Sequence, residues 1–134
     1  MIVWVNGCFD ILHTGHLELL ECAKNLYNVR NYLIVGIDSD RRVKELKGEK
    51  RPINNENDRQ RMLESLRFVD NVVIFDSDTD LRKQILAHGV DFMVVGNEYE
   101  DKEVIGIENS KKGCVYYPID ERSTTNIIDK IKNL

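Results

Sequence analysis

Short apolar runs alternate along the chain with segments whose apolar residues recur at helical spacing. Each run is rich in β-branched or aromatic residues and is bounded by polar residues or glycine, which is typical of buried parallel strands. The predicted strands are Ile2–Val5, Tyr32–Ile37, Asn71–Phe75, Asp91–Val95 and Cys114–Tyr117.

The segments between these runs predict helices. The first begins near Gly15 and has apolar residues at helical spacing. They are Leu19, Leu20, Ala23, Leu26 and Tyr27. The second is capped by Asn54 or Asn55 and extends to about Phe68. Its predicted inner face consists of Met62, Leu63 and Leu66.

Three further helices complete the pattern. One begins near Asp80 and ends at Gly89, a natural stop, and its apolar positions are Leu81, Ile85 and Leu86. A weak helix is predicted over residues 104–111. The last helix follows the Ser-Thr-Thr run at 123–125, which is a strong helix-capping signal, and its apolar positions are Ile127, Ile128 and Ile131.

The alternation of strand and helix predicts an α/β fold. Parallel strands joined by helices bury both faces of the sheet, and right-handed crossovers connect them. We therefore expect a single Rossmann-like domain over residues 1–134, with a five-stranded parallel sheet and helices on both faces. The sequence contains neither a G-x-G-x-x-G fingerprint nor a G-x-x-x-x-G-K-[ST] loop, which argues against a classical dinucleotide site and a P-loop ATPase.

Composition limits the classes of partner. The chain has 134 residues, 42% hydrophobic and 31% charged, and a net charge of −4, which argues against a general nucleic-acid binder. No apolar run approaches the length of a membrane span, so no membrane partner is expected. Three cysteines without paired spacing indicate free thiols and a cytoplasmic location.

A basic segment interrupts this acidic composition. Between Arg41 and Arg51 six basic residues face two acids, and Gly48 and Pro52 break helices, so this segment is predicted to be a loop over the active edge of the sheet. One interpretation is a solvated charged loop. The other is a clamp on the phosphates of a nucleotide.

The candidate functional site is the turn between the first strand and the first helix. It reads Asn-Gly-Cys-Phe-Asp-Ile-Leu-His-Thr-Gly-His over residues 6–16. The turn lies at the positive end of a helix, where free N–H groups and the dipole favour an anion. Gly7 and Gly15 allow phosphate oxygens to approach the backbone, and His13 and His16 add donors. The alternative is a metal site in which Cys8 or Asp10 joins the two histidines.

These residues carry a resemblance to a known family. The stretch GCFDILHTGH resembles the signature of the HxGH nucleotidyltransferases of the cytidylyltransferase type, and the resemblance covers nearly the whole chain. The stretches LKGEKRPI and STTNII are similar to the heptose-phosphate adenylyltransferase branch of that family. Such enzymes transfer a nucleoside monophosphate from a nucleoside triphosphate to a phosphorylated sugar or polyol and release pyrophosphate.

The resemblance also implies roles for individual residues. His13, His16 and Lys44 are the expected catalytic residues. The acceptor is expected at the ends of two strands, at Asp38, Asn97 and Glu98. The expected nucleotide-binding residues are Gly7, Cys8, Phe9, Asp10, Gly15, Lys47, Arg59, Arg67, Gly96, Arg122, Ser123, Thr124 and Thr125. For Arg59 and Arg67 a solvated helix position is the open alternative. Mg²⁺ is expected with the triphosphate, without a named ligand.

Some questions of substrate and assembly stay open from the sequence. The heptose branch usually has a lysine before the glycine at position 96, and this chain has Val95. A glycerol-3-phosphate cytidylyltransferase and a non-catalytic nucleotide-binding module are therefore the alternatives to a sugar phosphate adenylyltransferase. The base, adenine or cytosine, is not specified. A homodimer is a further expectation.

Overall fold

The computed structural model describes residues 1–96, 102–118 and 124–134. Its five strands are β1 (Ile2–Gly7), β2 (Tyr32–Asp38), β3 (Asn71–Phe75), β4 (Phe92–Gly96) and β5 (Cys114–Tyr117). Its five α-helices are α1 (Thr14–Lys24), α2 (Asp40–Lys47), α3 (Glu56–Glu64), α4 (Asp78–Ala87) and α5 (Thr124–Lys132). Short 3₁₀ turns cover Leu26–Asn28 and Ile107–Asn109.

The strands form one sheet in the order β3-β2-β1-β4-β5, and every pairing is parallel. The chain moves outward from β1 to β3 on one side and returns through β4 and β5 on the other. The carboxyl ends of β1 and β4 therefore flank the point where the strand order reverses, which is where open α/β sheets bind ligands. The predicted Rossmann-like parallel sheet is confirmed.

Two hydrophobic clusters cover the two faces of the sheet. Val3 and Val5 of β1 pack with Leu20 of α1 and Leu63 of α3, while Trp4 packs on the other face with Ile85 of α4. Alternate residues of one strand thus serve both cores, because successive side chains of a strand point to opposite faces. The prediction of helices on both faces is confirmed.

The basic segment is the main error in the predicted fold. Residues Asp40–Lys47 form helix α2 rather than a loop. The Ser39 side chain accepts a hydrogen bond from the Arg42 N–H and caps the helix, and Val43, 1% exposed, anchors it. The helix ends at Gly48, whose φ of 99° is readily adopted only by glycine.

Other helical predictions were partly wrong. Helix α3 begins after the Asn55 cap as predicted but ends at Glu64, and the weak helix over 104–111 is only a 3₁₀ turn. Met62 was predicted to lie on the inner face of its helix and is exposed, and Leu86 and Ile131, two of the apolar residues at helical spacing, are exposed as well. In each case spacing alone placed an apolar residue at the margin of the buried face.

Candidate active site

Both imidazoles of the predicted site cap the helix that follows them. His13 is the N-cap of α1, and its Nδ1 accepts a hydrogen bond from the Gly15 N–H at 3.1 Å. The Nδ1 of His16 accepts one from the His13 N–H at 3.3 Å. This is a reciprocal capping box built from histidines. Because Nδ1 accepts in each ring, a neutral imidazole carries its proton on Nε2 and donates from there.

His16 is neutral at physiological pH. Burial is the main cause that lowers the pKa of His16 to about 4, and electrostatic interactions with His13 and Lys47 lower it further. The rings of His13 and His16 stack with their centroids 3.8 Å apart, and Phe9 lies 5.0 Å from His16 on centroids. The site therefore offers a positioned neutral donor that needs no proton from solution before it contacts an anion.

The end of β1 is shaped by close packing around Phe9. This residue is buried, 5% exposed, with a φ of 50° in the left-handed region. A Cβ at Gly7 would meet its ring at 3.1 Å, so glycine leaves room for the ring. Cys8, between them, lines the cleft, and burial raises the pKa of its thiol. Phe9 thus supports His16 from within the core.

Asp10 connects the turn to the segment after α2. Its carboxylate accepts hydrogen bonds from the N–H groups of Ile53 and Asn54, both at 2.8 Å, and from Arg51 Nε at 3.0 Å. Burial raises the pKa of Asp10, but these hydrogen bonds and the Arg51 charge outweigh burial and leave it lowered. The Asp10 side chain is completely buried. It therefore holds the turn in place, which corrects its expected contact with the nucleotide.

Arg59 also lies inside the protein. Its side chain has no exposed surface, and its guanidinium donates to the carbonyl oxygens of Asn54, Cys8 and Asp38 and to the carboxylate of Asp40, at 2.8–2.9 Å. These acceptors include the carboxyl ends of β1 and β2. Neither the nucleotide contact nor the solvated position expected for Arg59 fits this geometry. Arg59 is a buried residue whose hydrogen bonds connect the ends of β1 and β2 beside the site.

The structure separates the two candidate lysines. Lys47 lines the cleft and contributes to the lowered pKa of His16, whereas Lys44 is exposed and is not among the described residues that line the cleft. A helix turns about 100° per residue, so the side of α2 that carries Arg42 and Leu46 leaves Lys44 pointing away. The expected catalytic role is therefore better placed on Lys47 than on Lys44.

A second helix N-terminus meets the histidine turn. The Thr124 hydroxyl at the start of α5 donates to the Ile11 carbonyl oxygen at 3.0 Å and accepts from the Ile11 N–H at 3.4 Å. Thr124 is buried, and Thr125 is exposed. Arg122, Ser123, Asn97 and Glu98 lie outside the described residues, so their expected roles stay predictions.

The cleft at this edge of the sheet has a volume of about 400 Å³, within the range of small-molecule sites. Gly7 and Gly96 line it at the carboxyl ends of β1 and β4, Asp38 lines it at the end of β2, and His16 lines it from the first turn of α1. Arg67 is not part of this lining among the described residues. It is exposed beyond the end of α3, with its guanidinium 5.1 Å from the Phe68 ring centroid. The predicted nucleotide contact of Arg67 therefore finds no support here.

Several residues that line the cleft were not predicted from the sequence. Arg42 lines the cleft from α2, and Glu103, Val104 and Ile105 also line it. The signal for Arg42 was present, since it belongs to the basic segment. Nothing in the sequence singled out residues 103–105, because they precede the 3₁₀ turn and belong to no motif.

The donor set does not fit a resident metal. Within residues 1–96, 102–118 and 124–134, no cluster of three or more histidine, cysteine or acidic side chains could hold an ion. The Nδ1 atoms of both histidines are used in capping, and the Asp10 carboxylate faces Arg51. The alternative of a metal site built on these residues is therefore not supported. In the same ranges, no helix is long and apolar enough to cross a membrane, and Cys8, Cys22 and Cys114 are free thiols.

The model of the cytidylyltransferase-like family matches residues 4–130, which includes the histidine turn, the cleft and most of α5. The chain belongs to the cytidylyltransferase-like family. The nucleotidyltransferase class that the HxGH signature indicated is thereby confirmed. It fits a site with two imidazoles and two helix N-termini beside the cleft described above.

Relatives within the cytidylyltransferase-like family are close in sequence. The chain is 49% identical over 131 residues to the bifunctional protein HldE of Campylobacter fetus subsp. fetus (strain 82-40) and 50% identical over 131 residues to HldE of Helicobacter pylori (strain P12). Each match covers 98% of this chain and 28% of the relative. The chain thus spans about a quarter of the length of these proteins.

A solved structure shares the architecture. The lipopolysaccharide core biosynthesis protein of Thermoplasma volcanium GSS1 superposes with a TM-score of 0.72 and 25% identity, covering 90% of this chain and 98% of that one. A protein of unknown function from Archaeoglobus fulgidus superposes with a TM-score of 0.66 at 20% identity, covering 92% of this chain and 94% of that one, and supports the fold alone.

Proposed function

We propose that this chain transfers a nucleoside monophosphate from a nucleoside triphosphate, with ATP the favoured donor, to a sugar 1-phosphate and releases pyrophosphate. The observation that carries this proposal is the meeting of two helix N-termini at one turn, through Thr124 and Ile11, beside the histidine capping box. Two positive helix ends and a neutral imidazole suit a polyanion better than a single phosphate group.

The reaction needs no covalent nucleophile from the protein. An oxygen of the acceptor phosphate attacks the α-phosphorus, the α–β bridging bond breaks, and pyrophosphate leaves on the opposite side. Catalysis consists of positioning and of stabilising the charge that develops on the transferring group. His13 and His16 donate from Nε2 to that group, and Lys47 neutralises the leaving pyrophosphate.

Mg²⁺ belongs to the substrate in this proposal. It would arrive bound to the triphosphate, where it offsets phosphate charge, and its remaining ligands would be waters and phosphate oxygens. The protein's own contribution is then the placement of donors around the phosphate chain.

The acceptor class rests on the relatives. The Thermoplasma protein is named for lipopolysaccharide core biosynthesis, which favours a sugar phosphate over glycerol 3-phosphate. The LKGEKRPI and STTNII stretches point in the same direction. Glycerol 3-phosphate with CTP is the reference reaction against which this preference is measured.

The test is a matrix of triphosphates against phosphorylated acceptors, followed by pyrophosphate release. We expect the fastest release with ATP and a sugar 1-phosphate, and release abolished in His16→Ala. Lys44→Ala serves as the matched control, since it removes a positive charge from the same surface outside the cleft. Faster release with CTP and glycerol 3-phosphate would overturn the acceptor assignment, and no release with any pair would overturn the proposed activity.

A further inference from the structure

Asn6 lines the cleft near the carboxyl end of β1, and the histidine capping box does not involve it. Its Oδ1 accepts a hydrogen bond from the indole Nε1 of Trp4 at 3.2 Å. Because the nitrogen of an indole can only donate, the oxygen of the Asn6 amide must be the atom that faces Trp4. The orientation of this amide is therefore set by the buried side chain beneath it, and its nitrogen is turned away from Trp4.

Trp4 is itself held in one position. Its side chain is completely buried, in the hydrophobic cluster between the sheet and α4. A Cβ at Gly36 would lie 2.3 Å from Cζ2 of the indole, so the missing side chain of Gly36 makes room for the ring. Gly36 is also the residue of β2 that pairs with Asn6. The indole thus lies over the neighbouring strand and cannot move away from Asn6 without disturbing the core.

The nitrogen of the Asn6 amide is available to a ligand. Nδ2 donates to no residue that the structure describes, and it is not one of the buried polar atoms that lack a partner, so it is in contact with solvent. Since Asn6 lines the cleft, a substrate that fills the cleft displaces this solvent. A donor that loses its water without gaining an acceptor is costly, so the substrate has to supply an acceptor atom.

The surroundings of Asn6 favour an uncharged acceptor. Phe75 and Val104 line the same cleft and belong to the hydrophobic cluster that contains Trp4. Arg42, whose guanidinium lies 5.5 Å from the Phe75 ring centroid, is already paired with two carboxylates. A phosphate group beside apolar side chains and without an unpaired cation would be poorly compensated, whereas a hydroxyl group needs only a hydrogen bond.

We propose that Asn6 is a substrate-binding residue whose Nδ2 donates a hydrogen bond to a sugar hydroxyl oxygen, and that Trp4 is its positioning residue. Both substrates of the proposed reaction carry such hydroxyls, on the ribose of the triphosphate and on the sugar of the acceptor. Trp4 touches neither substrate and acts by holding the amide. This inference rests on the proposed function and adds a residue to its substrate contacts.

The first test follows the hydrogen bond between Trp4 and Asn6 by NMR. The chain has one tryptophan, so an isotope-labelled sample gives one indole N–H resonance. A hydroxyl oxygen that accepts from Nδ2 polarises the amide and strengthens the bond at Oδ1, because linked hydrogen bonds reinforce one another. We expect the resonance to move downfield on saturation with the substrate that Asn6 contacts. The probes are ATP, glucose 1-phosphate and mannose 1-phosphate.

Comparison ligands identify the hydroxyl. If ATP moves the resonance and 2′-deoxyATP or 3′-deoxyATP does not, the hydroxyl belongs to the ribose, and a shift with a sugar 1-phosphate alone assigns it to the acceptor. Tripolyphosphate has phosphate groups and no hydroxyl, so it should leave the resonance in place. A shift of equal size with tripolyphosphate, or no shift with any of the three probes, overturns the inference.

The second test separates contact from structure by kinetics. Trp4→Phe removes the indole N–H and keeps Asn6, while Trp4→Phe/Asn6→Ala removes both partners and leaves no buried donor without an acceptor. From the first variant to the second, we expect the KM of the contacted substrate to rise roughly three- to tenfold and the KM of the other to stay constant. If Trp4→Phe does not fold, Asn6→Ala is compared with the wild type in the same way.

The matched control is Asn71→Ala. Asn71 also lies on a strand of the sheet, β3, but it is not among the described residues that line the cleft, so both KM values should equal those of the wild type. If loss of Asn6 changes neither KM, or raises both and lowers kcat, the residue is structural and the proposed contact is wrong. If the wild type releases no pyrophosphate, the proposed function fails instead, and the NMR titrations still decide on Asn6 because they need binding without turnover.

Discussion

The substitution Arg59→Lys tests whether this residue holds the site together or contacts the nucleotide. The guanidinium makes four hydrogen bonds of 2.8–2.9 Å, three of them to carbonyl oxygens and one to Asp40. A lysine keeps the charge but has a single donor nitrogen without the planar fork, so it cannot reach all four acceptors. Some of these buried acceptors then lose their partner.

The expected loss of stability follows from those contacts. If two charge-assisted hydrogen bonds are lost, the cost is about 3–5 kcal/mol. For a chain of 134 residues the unfolding entropy is about 0.28 kcal/mol/K, so the midpoint of thermal unfolding should fall by roughly 10–18 °C. Because domains of this size are usually stable by about 5–15 kcal/mol, the variant should remain folded at low temperature.

The assay is thermal unfolding followed by circular dichroism, combined with the KM for triphosphate measured in the cold. Arg67→Lys is the control, because Arg67 is exposed and contacts only the Phe68 ring among the described residues, so its midpoint should hardly move. If Arg59→Lys unfolds like the wild type and instead raises the KM for triphosphate, Arg59 is a nucleotide ligand and the structural interpretation is wrong.

Three other predictions concern the histidine turn and its lysine. His16→Ala should lower kcat by roughly 10²–10³ through loss of one positioned donor, and should cost only about 1 kcal/mol of stability through loss of the cap, as shown by steady-state kinetics and urea unfolding. Lys47→Ala should raise the KM for triphosphate while Lys44→Ala leaves it unchanged, and equal effects would contradict the orientation of α2. Because the pKa of His16 is about 4 in the fold and near 6.5 when unfolded, its contribution to stability is complete above pH 6.5 and is lost as the pH falls towards 4. Unfolding free energies at pH 7 and pH 4 should therefore differ less in His16→Ala than in the wild type.

The sheet could be predicted from the sequence because its strands are continuous apolar runs. Asn71–Phe75 and Cys114–Tyr117 were predicted with the bounds that the structure has, and the other strands differ by a few residues at their ends. A run that is buried on both faces of a sheet shows no helical spacing of its apolar residues. Its continuous apolar character and its short length therefore both indicate a strand.

Helix α2 could not be predicted in the same way. Among its eight residues only Val43 is fully buried, so the segment shows almost no apolar periodicity. What makes it helical is a cap at Ser39 and ion pairs of Arg41 and Arg42 with acids on β2 and beyond β3. Those partners are up to 36 residues away, and charge spacing within the segment does not reveal them.

The positions of Asp10 and Arg59 were hidden for a related reason. Charged residues in a signature are usually read as ligand contacts, because buried charges are rare unless they are paired. Here the pairing is mainly with backbone groups: the N–H groups of Ile53 and Asn54 for Asp10, and three carbonyl oxygens for Arg59. Backbone partners leave no trace in the sequence, so only the folded chain shows that these charges point inward.

The spacing of the HxGH motif has a physical explanation in the capping box. His13 occupies the N-cap and His16 the third helical position, which are the two positions where a Ser or Thr and a Glu usually exchange hydrogen bonds with the backbone. A serine in the first place would use its oxygen on the backbone, and a glutamate in the second would place a negative charge beside the phosphates. An imidazole has two nitrogens, so Nδ1 satisfies the helix while Nε2 carries a proton that it can donate to an anion. The same two residues can thus begin the helix and present donors to a triphosphate, and a substitution that restores only the cap should recover stability without recovering turnover.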